Sequence, residues 1–239
     1  NILGFYYKGT DERKYTNSLI CVARKMGKTC LAAAFCLWFL IGDGESGAEV
    51  DLAANSRQQA QIAYEFVQNY ARQLDPSGKE LKCLRNGIKL KLNDSNLNVF
   101  AADSTKLDGF NASFALIDEY HAAKDSRLYD VLKSSQGQRK NPHLMVISTV
   151  GFSITSPFKK LYDTDCEILH GLKEDDSTFA MIFALDDGDD WRDETVWRKI
   201  APNLEITVTT KYLREQVIQA ENNVSAETGI LVKNFNVWQ

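Results

Sequence analysis

The sequence lacks the residue patterns of a metal-bound or disulfide-bonded scaffold. Its five cysteines include no Cys-x-x-Cys pair, and its three histidines form no ligand pattern. Three of the cysteines fall in apolar segments, where reduced cysteines pack as small hydrophobic residues. An odd number of cysteines without ligand spacing argues against both a disulfide framework and a zinc site.

A membrane-length apolar run and an excess of positive charge are also missing. The apolar run at residues 31–41 is too short to span a bilayer, so it predicts a buried helix and no membrane association. A net charge of −4 argues against a uniformly basic coat for nucleic acid. With 44% hydrophobic and 25% charged residues, the 239-residue chain can form one large α/β domain.

One stretch, residues 79–91, departs from the overall negative charge. A single acid, Glu80, accompanies five cations there, namely Lys79, Lys82, Arg85, Lys89 and Lys91. This run is the best candidate for a local nucleic-acid-binding patch. It is also typical of the solvated face of a hairpin or helix. The sequence leaves both interpretations open.

A glycine-lysine-threonine tripeptide stands between an apolar run and a segment of small residues. The tripeptide is Gly27-Lys28-Thr29, with apolar residues at 18–23 before it and an alanine-rich segment at 30–38 after it. A buried strand that turns through glycine into a helix points backbone N–H groups at a phosphate chain. In such a loop Lys28 reaches the β- and γ-phosphates, and the Thr29 hydroxyl binds Mg²⁺.

The predicted phosphate loop departs from the usual pattern at its start. The first glycine of the pattern is replaced by Val22, which suits the strand. Arg24, Lys25 and Met26 then lie inside the loop, beside the phosphates. A helix start that happens to contain the tripeptide is the alternative, because short motifs often occur by chance.

A second apolar strand ends in two carboxylates. Residues 114–117 are apolar, and Asp118 and Glu119 follow them. In nucleotide hydrolases the aspartate of such a strand holds the magnesium ion, and the next acid polarises the attacking water as general base. The alternative is an ordinary buried strand with a polar end, which the pairing with Lys28 and Thr29 disfavours. Together the two motifs predict an enzyme that binds and hydrolyses a nucleoside triphosphate with Mg²⁺.

A third apolar strand, at residues 143–147, ends in small polar residues. Ser148, Thr149, Val150 and Gly151 follow it. The carboxyl ends of strands are where open α/β sheets bind ligands. Hydroxyl groups there can sense whether the γ-phosphate is present.

Strands and helices alternate along the chain. A strand at 48–54, a helix at 56–74 with apolar residues spaced by four, and short strands within 81–102 follow the phosphate loop. The Asp-Glu strand, a helix near 126–135 and the third strand come next. This order predicts an α/β fold with a mostly parallel, doubly wound P-loop NTPase sheet and helices on both faces.

The last part of the chain has a different pattern. A turn-rich, acidic stretch at 186–190 precedes two helical segments, at 210–222 and 224–238. We interpret residues 1–194 as the ATPase domain and residues 195–239 as the start of a small linker subdomain.

Taken together, these residues resemble the ATPase domain of the large terminase subunit, the DNA-packaging motor of tailed bacteriophages and herpesviruses. The similar pieces are the loop at 24–29 and residues 107–111, 116–121 and 148–151. Three C-terminal pieces, at 202–204, 212–214 and 235–238, resemble the segment that links motor to nuclease in these proteins. The resemblance covers most of residues 19–151 and, more loosely, 195–239.

The resemblance implies roles for individual residues. Lys28 and Thr29 match the phosphate-loop lysine and the magnesium ligand. Arg24 matches the loop arginine that contacts the nucleotide from within the same subunit. Asp118 and Glu119 match the magnesium-site aspartate and the catalytic glutamate.

Two further elements of such a motor are implied less directly. Ser148, Thr149 and Val150 match the coupling motif, which links hydrolysis to movement of DNA. The arginine finger that a neighbouring subunit donates has no secure match, because Asp108 stands near its expected place. The candidates are Lys106, Arg127 and Arg139.

The resemblance also implies a function and partners. The expected function is ATP hydrolysis that drives double-stranded DNA into a viral procapsid, in the cytoplasm of an infected bacterial host. The expected partners are DNA, the portal protein, the small terminase subunit and further copies of the chain in a ring on the procapsid. We expect the isolated chain to be a monomer.

Two other functions stay open from the sequence. A helicase-like nucleic-acid translocase would share the sheet, the phosphate loop and the Asp-Glu pair, although no further helicase signature follows Gly151. A nucleotide-binding scaffold that has lost turnover is the non-enzymatic alternative. No third acidic cluster on a long strand follows residue 200, so we expect no nuclease activity in this chain.

Overall fold

The structure, a computed structural model, describes residues 2–102 and 109–239. In these residues the strands are β1 (Asn17–Cys21), β2 (Glu49–Ala54), β3 (Leu81–Leu84), β4 (Gly87–Leu90), β5 (Ser95–Ala101), β6 (Phe114–Asp118), β7 (His143–Ser148) and β8 (Thr178–Ile182). The helices are α1 (Lys28–Leu37), α2 (Arg57–Leu74), α3 (Arg127–Ser135), α4 (Pro157–Leu169), α5 (Trp197–Ile200), α6 (Thr210–Asn222) and α7 (Val224–Asn234). Each segment that the sequence pattern predicted as a strand or helix forms one.

One eight-stranded sheet, in the order β3-β4-β5-β2-β6-β7-β1-β8, organises the described residues. The six strands from β5 to β8 in that order run parallel, and only the β3–β4 and β4–β5 pairs are antiparallel. Parallel strands place their carboxyl ends at one edge. The ends of β1, β6 and β7, where the predicted site residues lie, therefore share that edge. The prediction of a mixed α/β fold is confirmed.

Two hydrophobic clusters take alternate residues from the central strands. One contains Ile20, Leu52 and Leu116 and packs with α1 and α2. The other contains Leu19 and Ile117 and packs with α3 and α4. Because successive side chains of a strand point to opposite faces, the two clusters lie on the two faces of the sheet. The central strands are therefore buried from both sides, as parallel strands require.

The apolar residues that predicted helix α2 are not its buried face. Ile62 and Leu74 of that four-residue repeat are 48% and 65% exposed. The residues that α2 buries against the sheet form another row, which consists of Ala60, Ala63, Tyr64, Val67 and Ala71. Small side chains let the helix approach the sheet closely, so its larger apolar residues point away. Tyr70 and Leu74 of the repeat line a surface groove with Trp38 and Ile41, which belong to a π-helical turn after α1.

Three elements, α4, α5 and β8, had no sequence prediction, and one predicted helix ends early. Helix α4 begins at Pro157 after the capping residue Ser156, and strand β8 adds to the free side of β1. Helix α7 ends at Asn234 rather than at residue 238, since Asn236 has a left-handed backbone (φ 55°) that no helix continues through. No helix in the described part of the chain has the length and apolar character needed to cross a membrane.

The two faces of α2 should differ in their contribution to stability. We expect Ile62→Gln to change the free energy of unfolding by less than about 1 kcal/mol, because the side chain is already half exposed. Val67→Ala should cost about 2 kcal/mol, because two fully buried methyl groups are lost and a cavity remains. Urea unfolding of both variants tests this. Equal losses would show that the four-residue repeat is part of the core.

Candidate functional site at the carboxyl edge of the sheet

The predicted phosphate loop connects β1 to α1 through two left-handed residues. Lys25 has φ 65° and Gly27 has φ 82°. Glycine adopts this conformation without a steric penalty, which explains its place directly before the helix. Helix α1 then starts at Lys28. The first turn of a helix offers N–H groups without intrahelical acceptors, and these groups bind anions.

The Lys28 side chain folds back into the loop. Its residue is 7% exposed, and its Nζ donates to the carbonyl oxygens of Val22 and Ala23, each at 3.1 Å. The same atom lies 3.8 Å from Glu119 Oε1. A buried ammonium must be compensated by hydrogen bonds and an opposite charge. The loop carbonyls and Glu119 together provide that compensation.

The two predicted carboxylates lie where β6 ends. Asp118 is the last residue of the strand, and Glu119 turns into a left-handed conformation (φ 53°). The Glu119 N–H donates to Ile147 O of β7 at 2.8 Å, and its carbonyl accepts from Asn55 Nδ2 at 2.6 Å. Because the strand breaks here, the Glu119 side chain does not have to point to the face opposite Asp118. Both carboxylates lie close enough to Lys28 to oppose the lowering of its pKa by burial.

His121 connects Glu119 to the predicted coupling motif. Its Nδ1 lies 3.0 Å from Glu119 Oε2 and 3.1 Å from Ser148 Oγ. The Thr149 hydroxyl is 3.3 Å from the same nitrogen, and the His121 N–H donates to Ser148 Oγ at 3.0 Å. The end of β7 is thus in direct contact with the group that holds Glu119. Sequence reasoning gave His121 no role.

The two carboxylates have opposite pKa shifts. Burial, together with the charge of Glu119, raises the pKa of Asp118 to about 7. Burial would also raise the pKa of Glu119, but the adjacent His121 ring and the Lys28 charge outweigh it and hold that pKa at about 2. Burial lowers the pKa of Lys28, against the pull of both acids. Glu119 is therefore the ionised partner of Lys28 at neutral pH.

Asp118 and Thr29 fit a divalent cation. Asp118 Oδ1 is buried and has no hydrogen-bond partner among residues 2–102 and 109–239, and a buried acceptor without a donor is typical of a cation ligand. Thr29 is half-buried in the first turn of α1. Within the same residues no group of three His, Cys, Asp or Glu side chains could hold a metal. Such a sparse site suits Mg²⁺, which takes most ligands from phosphate and water.

The C-terminal segment holds the phosphate loop in place. The Asn203 side chain donates to Met26 O at 3.0 Å, and the Arg24 N–H donates to Lys233 O at 3.0 Å. The Lys25 ammonium lies 4.6 Å from the Tyr212 ring centroid. The Arg24 and Lys25 side chains are otherwise exposed. The loop therefore rests on residues almost two hundred positions away in sequence.

Asn236 ties the ends of three strands together. Its Oδ1 accepts from the Val150 N–H at 3.0 Å, and its Nδ2 donates to Phe183 O at 2.8 Å and lies 3.6 Å from Cys21 Sγ. Val150 and Phe183 lie just after the ends of β7 and β8, and Cys21 is the last residue of β1. The residue is 2% exposed. The resemblance singled out residues 235–238, but it gave Asn236 no role, because each partner of this side chain is distant along the chain.

The candidates for a finger donated in trans differ in their surroundings. Lys106 lies outside the described residues. Arg127 is exposed at the start of α3 and lines a cleft of about 410 Å³ that Asn55 also lines. Arg139 is mostly buried and bonds to Asn111 O at 2.7 Å and to Glu45 Oε1 at 2.6 Å. Its guanidinium thus joins two loops at the opposite, amino-terminal edge of the sheet.

Asn55 and His121 are the site residues that sequence reasoning missed but could have found. Asn55 directly follows the carboxyl end of β2, and His121 lies two residues after Glu119. Polar residues at these strand ends lie at the ligand-binding edge of an open α/β sheet. Their position relative to the strands was the available signal.

Comparison with known proteins identifies the family. Residues 1–165 match the family model of the terminase large subunit, ATPase domain. The chain therefore belongs to the terminase large subunit family. This membership decides against a helicase-like relative and agrees with the resemblance drawn from the motifs.

Individual relatives agree with this assignment. Protein YmfN of Escherichia coli (strain K12) is 32% identical over 131 residues, covering 55% of this chain and 29% of the relative. The large subunit of the terminase of Enterobacteria phage HK97 is 27% identical over 144 residues, covering 55% of this chain and 27% of that protein. The chain thus spans less than a third of the length of these two relatives.

Solved structures share the fold. The crystal structure of the HK97 bacteriophage large terminase superimposes with a TM-score of 0.83 at 20% identity, covering 94% of this chain and 47% of that one. The large terminase of a thermophilic bacteriophage, solved in complex with ATP-gamma-S, gives a TM-score of 0.55 at 15% identity, covering 83% of this chain and 46% of that one.

The expectation that nuclease activity is absent from this chain is not supported. Residues 173–239 match the family model of the terminase large subunit, endonuclease domain. The expectation rested on the lack of a third acidic cluster after residue 200, but the matched region begins earlier. The boundary at residue 194 between an ATPase domain and a linker subdomain stays a prediction.

Loss of the Asn236 side chain should destabilise the whole site. Asn236→Ala leaves the buried Val150 N–H and Phe183 carbonyl without partners, which should cost about 1–3 kcal/mol for each group. Asn236→Gly should also destabilise, although glycine accepts the left-handed backbone. Urea unfolding measures both. Asn222→Ala, which removes one exposed hydrogen bond to Ile218 O, serves as control and should change stability by about 0.5 kcal/mol or less. Wild-type stability of Asn236→Gly would contradict the assignment.

Proposed function

We propose that this chain hydrolyses ATP and that hydrolysis drives double-stranded DNA into a viral procapsid. The observation that carries the proposal is the contact between the buried Lys28 ammonium and Glu119 at the start of α1. A cation that can bind phosphates and an ionised carboxylate that can accept a proton from water are two of the groups used in phosphoryl transfer to water. Membership of the terminase ATPase family supports the same activity.

Glu119 is assigned as the general base. His121 positions its carboxylate, and the low pKa keeps it ionised at neutral pH. In this resting geometry Lys28 lowers the proton affinity of Glu119. When Lys28 turns to phosphate oxygens instead, Glu119 loses a neighbouring cation and becomes a stronger base. Binding of the phosphates would in this way prepare the base for the attacking water.

Thr29 and Asp118 are assigned as the residues that hold Mg²⁺. The ion, when bound, supplies charge that stabilises the transferring phosphoryl group. The loop residues Arg24, Lys25, Met26 and Gly27 surround the phosphates, and Arg24 adds a cation that can bond them in a bidentate manner. The strand end formed by residues 148–150 is assigned as the coupling motif, since its two hydroxyl groups contact His121.

The finer description of the fold follows from this assignment. We infer a doubly wound P-loop NTPase sheet, which the two hydrophobic clusters on its two faces support. Residues 195–239 are proposed as a linker subdomain. For the whole protein we propose a ring on the procapsid, the portal protein and small terminase subunit as partners, and action in the cytoplasm of an infected bacterial host.

Substitution of the base should separate binding from turnover. We expect Glu119→Gln to retain ATP binding while kcat falls about 10²-fold or more, because the amide cannot accept the proton. Lys28→Ala should weaken both binding and turnover, because its charge is lost in every state. Steady-state hydrolysis and fluorescent-nucleotide titration measure the two effects. Glu65→Gln, an exposed change on α2, is the matched control. Near-normal kcat in Glu119→Gln would remove this residue from the mechanism.

A finger supplied by a neighbour should make turnover depend on assembly. A trans arginine can contribute about 10³-fold or more, so hydrolysis per chain should rise with protein concentration. Mixing Glu119→Gln with a chain that lacks one candidate finger should restore partial activity, since the second chain keeps its base. We expect recovery with Arg127→Ala or Lys106→Ala. Arg139→Ala should instead lose stability, because its guanidinium joins two loops.

Two outcomes would contradict the shared site. One is a rapid turnover that does not depend on concentration. The other is the absence of recovery in every mixture although each variant is folded.

A further inference from the structure

The antiparallel end of the sheet carries a local excess of positive charge, although the chain as a whole is negative. We call residues 79–91, which include β3 and β4, the basic hairpin. Its five cations and one acid give a net charge of +4 in a chain of net −4, which leaves −8 on all other residues. All five cations are exposed. This asymmetry is large enough to attract a polyanion in spite of the overall negative charge.

Two of these cations oppose each other directly. Lys82 of β3 is the cross-strand partner of Lys89 of β4, and Lys89 is in turn the partner of Asn96 of β5. Directly opposed residues lie on one face of a sheet. The alternate residues of the hairpin, such as Leu81 and Ile88, are buried in the cluster that packs with α2. The Lys82–Lys89–Asn96 row therefore lies on the opposite face of the sheet.

Among the described residues, the nearest acid in this row is Glu49 of β2, the cross-strand partner of Asn96, and β5 separates it from Lys89. In that part of the chain no carboxylate lies within 4.0 Å of a cation of the basic hairpin. Like charges directly opposite each other destabilise a strand pair. A surface that serves only as a solvated face has no need of such a pair, since one acidic or neutral residue would relieve the repulsion.

The basic hairpin is also held rigidly. Tyr64 of α2 donates its hydroxyl to Leu84 O at 2.7 Å and to Gly87 O. The Asp75 carboxylate accepts from the N–H groups of Glu80 and Leu81 at 2.8 and 2.9 Å. The strands are therefore fixed before any partner arrives, so binding costs little ordering of the backbone.

We propose that the basic hairpin binds the phosphate backbone of duplex DNA through the Lys82–Lys89–Asn96 row. The inference rests on the proposed function, because it names the surface that contacts the DNA being moved. Two adjacent ammonium groups and an amide donor on a flat strand face suit a line of phosphates. The row lacks a bidentate guanidinium aimed at base edges, so the contact is independent of DNA sequence.

The double variant Lys82→Gln/Lys89→Gln tests the surface in the full chain. We expect weaker binding of a short fluorescent DNA duplex by anisotropy. The slope of log Kobs against log salt should become shallower by about 2, since two phosphate contacts are lost. The melting temperature should stay equal or rise, because the like-charge pair is removed. A merely structural role for the two lysines would instead lower it.

The control removes the same charge elsewhere. Lys8→Gln/Lys211→Gln changes two exposed lysines outside the basic hairpin, and its salt slope should stay that of the wild type. An equal slope and affinity in both double variants would overturn the inference, as would a wild-type chain that does not bind duplex DNA at low salt. Loss of polyglutamate binding with unchanged DNA binding would assign the surface to an acidic protein instead.

ATP turnover without DNA separates this inference from the proposed function. Both double variants should hydrolyse ATP like the wild type, since the changed residues lie outside the phosphate loop and its contacts. If no chain hydrolyses ATP, the proposed function fails, whatever the DNA-binding data show. If turnover is intact and the hairpin variant binds DNA normally, only the DNA-binding surface is wrong.

Discussion

The buried ammonium of Lys28 is the constraint on which the rest of the site depends. A charge that is almost fully removed from water destabilises a protein unless dipoles and an opposite charge surround it. The loop satisfies this requirement by curling two carbonyl groups around the Nζ atom, which in turn requires the left-handed glycine before α1. Glu119 supplies the opposite charge. The curled loop and the ionised Glu119, which His121 also holds in that state, both compensate this one buried cation.

The contacts of the C-terminal segment extend this constraint beyond the loop. Asn203 and Lys233 hold the backbone of the loop, and Asn236 holds the residue that follows the two hydroxyl groups near His121. The backbone on the N-terminal side of Lys28 is therefore joined to the C-terminal segment by hydrogen bonds. The region matched by the endonuclease family model contains all three of these residues. Hydrogen bonds between the candidate site and that region are thus present within this chain.

The part of the structure that the sequence could predict is the part determined by neighbouring residues. Apolar runs followed by Gly27-Lys28-Thr29, by Asp118-Glu119 or by Ser148-Thr149 identify strand ends, and parallel strands bring such ends together. Which face of α2 is buried could not be predicted from the four-residue repeat. Burial depends on how closely the helix approaches the sheet, and the alanines permit a closer approach than Ile62 or Phe66 would. Strand β8 was missed since it is short and only half-buried. The role of Asn236 could not be predicted, although the resemblance included its segment, because its partners lie up to 215 positions away.

Buried charges lie beside the parallel part of the sheet, whereas the two lysines that repel each other lie on its antiparallel part. The central parallel strands are buried on both faces, so a charge at or beside their ends, such as Asp118 of β6 or Lys28 of α1, must be compensated within the protein or by its ligand. The antiparallel strands β3 and β4 have one buried face, so water can solvate Lys82 and Lys89 on the other. Repulsion between these two lysines weakens only a strand pair at the far end of the sheet from β1. The fold can therefore tolerate an unfavourable charge pair there without disturbing the geometry around Lys28.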